Sequence, residues 1–81
     1  MAVGEIKHHD VRTILKNLKS LLVIPAKRFW IDYDQEADVL YIGFRKPQHA
    51  TDSELLEEGV IIRKAGDRIV GLTVLNASTR R

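Results

Sequence analysis

The sequence predicts an α+β fold: an N-terminal amphipathic helix followed by a four-stranded antiparallel β-meander. Three observations lead there. Apolar residues recur at helical spacing over residues 10–23, and the period then changes to two over residues 28–75. Polar or glycine-containing breaks divide that second stretch into four apolar runs. At 81 residues the chain is shorter than the roughly 100–200 of a typical domain, so these elements form a single domain.

The helix rests on Val11, Ile14, Leu15, Leu18, Leu21 and Leu22, whose i, i+3, i+4, i+7 spacing makes one apolar stripe. Arg12, Lys16, Asn17, Lys19 and Ser20 fill the opposite face. Asp10 is the expected N-cap and Pro25 sets the far limit, which leaves residues 1–9 as a frayed start. A helix this short is marginal alone, so its stripe must dock on something.

Arg28–Tyr33 and Val39–Phe44 flank Asp34-Gln35-Glu36-Ala37-Asp38 and read as a hairpin with a four- or five-residue turn. Arg45–Ser53, with Pro47, Gln48, His49 and Asp52, reads as a loop. Gly59–Lys64 and Arg68–Leu75 form a second hairpin around Ala65-Gly66-Asp67, where Gly66 supplies a positive φ. Residues 76–81 are a polar tail.

Alternation splits the strands into two sets. Phe29, Ile31, Tyr33, Leu40, Ile42, Phe44, Val60, Ile62, Val70, Leu72 and Val74 form a core face for the helix to cover. The other face still carries Trp30, Val39, Tyr41, Ile61, Ile69 and Leu75, where a solvated face would be polar. Four strands at about 4.8 Å spacing are roughly 19 Å wide, and one helix about 10 Å across covers half of one face. The six residues of the second face are therefore expected to be an interface between two copies of the chain, a homodimer.

Composition excludes several classes. There are no cysteines, which removes disulfides, thiolate metal sites and cysteine nucleophiles. The longest apolar run, Leu21–Ile24, has four residues and is no membrane span. With no apolar leader or cleavage signal at the N-terminus, the expected location is the cytoplasm. The net charge of +2 divides unevenly: residues 1–28 carry +4, residues 29–58 carry −6 and residues 59–81 carry +4.

Little in the chain points to chemistry. The carboxylates of Asp32, Asp34, Glu36 and Asp38 alternate as in a calcium loop, but Ala37 replaces the needed glycine and Gly43 the closing glutamate. His8 and His9 are adjacent and diverge, and His49 lies in a loop, so no zinc set is expected. Ser20, Ser53 and Ser78 lack a nucleophile's partner spacing. No catalytic, metal or cofactor residue is expected. Lys16, Lys19, Lys27 and Arg28 are the residues that would touch nucleic acid if the basic termini gather on one side.

Tyr33-Asp34-x-Glu36-Ala37-Asp38-Val39-Leu40-Tyr41-Ile42 resembles the opening of a small prokaryotic family called domain of unknown function 2283. Glu58-Gly59-Val60-Ile61-Ile62 and Gly66–Ser78 resemble its later segments, so the likeness covers about residues 30–78. Arg63-Lys64 stand where the family's pattern has an acidic pair, and Thr73 stands where it has a glutamate. The resemblance implies a β-meander that oligomerises, and a partner-binding, antitoxin-like role. It implies no activity and no catalytic residues. The reading is a non-enzymatic interaction module that self-associates through an apolar sheet face, with the acidic turn Asp32–Asp38 as a second working part. Two alternatives stand beside it: an antitoxin-like protein binding a partner or nucleic acid through its basic ends, and an enzyme with its site across a dimer interface.

Overall fold

The structure, a computed structural model, describes residues 4–45 and 49–80. It contains α1 (His8–Lys16), α2 (Leu18–Leu22) and the strands β1 (Trp30–Asp34), β2 (Val39–Gly43), β3 (Asp52–Glu57), β4 (Val60–Ala65) and β5 (Arg68–Leu75). A 3-10 turn follows at Ala77–Thr79. The α+β class is as expected, but the sheet has five strands rather than four. Its order is β1-β2-β5-β4-β3, antiparallel throughout.

That order is not a meander. The strand that follows β2 in sequence, β3, forms the far edge, and the chain returns through β4 to lay β5 against β2. The four strands β2 to β5 thus form a Greek key. Residues 46–48 of the expected loop lie outside the described residues, as do residues 1–3 of the expected frayed start and Arg81 of the tail. The remainder of that loop gives way to β3 at Asp52. Every residue of β3 is exposed, and no burial imposes alternation on it.

The expected helix starts earlier and is broken. His8 opens α1, and Lys7, not Asp10, is the N-cap; Asp10 lies in the first turn and accepts the Lys7 N–H at 2.8 Å. Asn17 interrupts the helix because its side-chain amide donates to the Thr13 carbonyl at 2.8 Å, competing with the backbone ladder. The larger correction concerns position. The stripe does not cover the sheet: Ile14 is 56% exposed and Leu15 59%, no residue of either helix is buried, and neither helix packs along a strand.

Pairing register confirms the division of the sheet into two faces. Ile31, Ile42, Leu72 and Ile62 form one row across four strands, and Tyr33, Leu40, Val74 and Val60 form the next. The lower end of this face is the best packed. Phe29 meets Phe44 edge to face with ring centroids 5.7 Å apart, and the Phe44 amide donates to the Val70 carbonyl at 2.9 Å. Val70 is only 2% exposed. Val39 and Val60 are the other buried apolar residues among those described.

Val70 is therefore the packing centre of the sheet's lower end. Val70→Ala is expected to lower stability by on the order of 2 kcal/mol, measured as a shift of the urea midpoint. An unshifted midpoint would contradict that role.

Candidate functional site

The acidic turn is a structural latch. Residues 35–38 connect β1 to β2, and Asp38 takes a left-handed backbone with φ +56°, uncommon for a residue other than glycine. This conformation is held from several sides. Tyr33 Oη donates to Asp38 Oδ1 at 2.6 Å, Ser78 N–H donates to the same oxygen at 3.0 Å, and Ser78 Oγ donates to Oδ2 at 2.8 Å. The Asp38 carbonyl also accepts the Ala77 N–H at 3.1 Å. Asp34 caps the turn by accepting the Ala37 N–H at 3.2 Å. The segment expected as a polar tail is therefore anchored to the first hairpin, and Arg80 extends the anchor by donating to the Glu58 carbonyl at 2.8 Å and pairing with Glu57.

These bonds decide the chemistry of the turn. Both oxygens of Asp38 are engaged, and no group of three metal-ligating side chains occurs among the described residues. The Tyr33 hydroxyl, and after it the hydroxyl and amide of Ser78, hold the Asp38 carboxyl below its ordinary 3.8. By reciprocity, donation to Asp38 raises the Tyr33 hydroxyl above its ordinary 10.0, with burial and the charge of Asp38 adding to the shift.

The second feature lies on the opposite face from the Ile31–Ile62 row. Register aligns Trp30, Gly43, Gly71 and Arg63 across β1, β2, β5 and β4. Two adjacent glycines leave a depression between an aromatic and a cationic side chain. A groove of about 510 Å³ opens there, with Trp30, Asp32, Tyr41, Arg45 and Arg63 around Gly43. Arg63 Nε is buried with no hydrogen-bond partner. The groove presents aromatic surface and two guanidinium groups beside one carboxylate. Thr73, the other departure from the resemblance pattern, also lines it.

The six residues expected at the interface lie in different settings. Val39 is buried, and Trp30 and Ile61 are half-buried. Tyr41, Ile69 and Leu75 are exposed. Trp30 and Tyr41 wall the groove, which interrupts the apolar surface they were expected to form. Lys16 and Lys19 lie on α1 and α2, Lys27 and Arg28 on the segment entering β1, and all four are exposed. His8 and His9 open α1 and His49 precedes β3; all three are exposed. No helix among the described residues is long and apolar enough to cross a membrane.

A family model described as Protein of unknown function (DUF2283) matches residues 30–78. The chain belongs to this family. The DUF2283 match runs from the first residue of β1 to the latch serine, so the whole sheet, the groove and the Tyr33–Asp38–Ser78 network lie inside it. Both helices lie outside. Comparison with curated proteins and with solved structures gave no match. Sequence reading missed the latch because Asp38 and Ser78 are 40 positions apart, and nothing local marks an acidic turn residue as bonded rather than hydrated.

The latch fixes a pH dependence at both ends of the scale. Asp38 contributes stability in full above its unfolded value near 3.8, and that contribution is lost as pH falls through its lowered native value. Tyr33 contributes in full below 10.0 and loses its contribution as pH rises through its raised native value. Melting temperature against pH is expected to fall at both limits. Tyr33→Phe should flatten both limbs, and Ser78→Ala should flatten the acid limb to a smaller extent. Limbs unchanged in both variants would remove the latch from the account.

Proposed function

We propose that this protein is a non-enzymatic interaction module whose folded unit is two copies of the chain, joined through apolar sheet surface. The supporting observation is an excess of surface. A compact monomer of 9.2 kDa exposes about 4,900 Å², whereas this chain exposes 7175 Å². The difference of about 2,200 Å² per chain exceeds the ~800 Å² per partner of a standard interface and fits an obligate one. Shape agrees: the radius of gyration is 14.1 Å, against about 11.7 Å for a compact chain of this length.

Large apolar side chains are exposed on both the sheet and the helices, including Ile31, Tyr33, Tyr41, Leu15 and Leu22. Burying each is worth roughly 1.5–3 kcal/mol, which a second copy supplies. Edge pairing does not fit. Both edges are acidic, with Asp32 and Asp34 on β1 and Asp52, Glu54 and Glu57 on β3, so like charges would meet across a joined pair. The faces are the surfaces available.

Light scattering on the eluting peak of a sizing column is expected to give twice the 9.2 kDa of one chain at micromolar concentration. A mass of one chain at tens of micromolar overturns the proposal.

A further inference from the structure

We infer that the two copies exchange their N-terminal helices: α1 and α2 of each chain lie across the Ile31–Ile62 face of the other. The inference rests on the self-association proposed above and names the segment and surface that achieve it.

Two apolar surfaces of one chain are left without a partner. One is the stripe of Val11, Ile14, Leu15, Leu18, Leu21 and Leu22, all of them exposed. The other is the face made by the Ile31-Ile42-Leu72-Ile62 and Tyr33-Leu40-Val74-Val60 rows, in which only Val60 is buried. The dimensions match. The helices α1 and α2, of nine and five residues, are about 13 and 8 Å long, together close to the roughly 19 Å that four strands span. The opposite face is a poorer receiver. It is interrupted by Asp32, Arg63 and the groove over Gly43, whereas the two rows on the first face are apolar on all four strands.

The helices do not pack along the strands of their own chain. Ala26 N–H donates to the Ile24 carbonyl at 2.8 Å, a tight turn around Pro25. Residues 25–27 line the same depression as Phe44, Arg68, Ile69 and Val70, at the lower end of the apolar face. The long axis of the molecule reaches 41 Å. A helical segment of this length is marginal in water unless its stripe is buried, so an undocked helix is not the resting state.

Charge selects helix on sheet over helix on helix. Residues 1–28 carry +4 and residues 29–58 carry −6, so helix-to-helix pairing would bring two basic segments together. Exchange instead sets the helical stripe of one copy against two rows of the other that carry no charged side chain. A two-fold axis makes the exchange reciprocal and closed, with each chain giving one helical segment and receiving one.

The absence of cysteine permits a direct test in the full-length chain. One preparation carries Leu18→Cys and another Ile42→Cys; they are unfolded, mixed, refolded and oxidised, and native mass is measured in parallel. Exchange predicts a disulfide-linked pair of two different chains, and its absence with Arg12→Cys in place of Leu18→Cys. In the double variant Leu18→Cys/Ile42→Cys, exchange predicts covalent dimers. If that variant instead closes within one chain, or the mixed preparation gives no link while native mass stays dimeric, exchange is overturned and self-association stands. A native mass of one chain overturns both. Leu18→Asp, without any cross-link, is expected to weaken the dimer at least ten-fold in a dilution series; undiminished affinity also counts against exchange.

Discussion

The pairing of β2 with β5 holds this molecule together. It is the contact that joins the β1–β2 hairpin to the β3–β4–β5 unit, and without it the sheet separates into a three-stranded piece and a two-stranded hairpin that is marginal alone. The chain secures it at both ends. At the lower end the ladder continues as Phe44 N–H to the Val70 carbonyl, beside the most deeply buried side chain among the described residues. At the upper end Asp38, one residue before β2, is bonded to Ala77 and Ser78, just beyond β5. The family segment begins and ends at the elements this pairing unites.

Much of the sheet was legible in the sequence, and the reasons differ from element to element. Hairpin β1–β2 and hairpin β4–β5 stand out because half-buried strands must alternate, and Gly66 adopts the positive φ, +62°, that its turn needs. The division into two faces was legible for the same reason. Strand β3 was not. Asp52-Ser53-Glu54-Leu55-Leu56-Glu57 has low strand propensity and lies fully exposed at an edge, where pairing on one side is the sole constraint. Strand order was also hidden, since no local pattern says that β5 returns to β2.

The candidate sites were legible to a smaller extent. The acidic turn attracts attention in the sequence, yet its role depends on a serine brought back by the Greek-key path. The groove depends on Gly43 and Gly71 being neighbours, which only register reveals. The helix stripe was plain from its spacing, whereas its target was not. Amphipathicity states that a surface must be covered and is silent on which chain covers it.

The acidic outer strands bear on how far association can extend. A sheet with bare, apolar borders adds neighbour after neighbour along its hydrogen-bonding direction and grows into fibres. Here aspartate and glutamate line both borders, so each added unit would meet rising repulsion. Growth by addition of strand to strand at either border is thereby disfavoured.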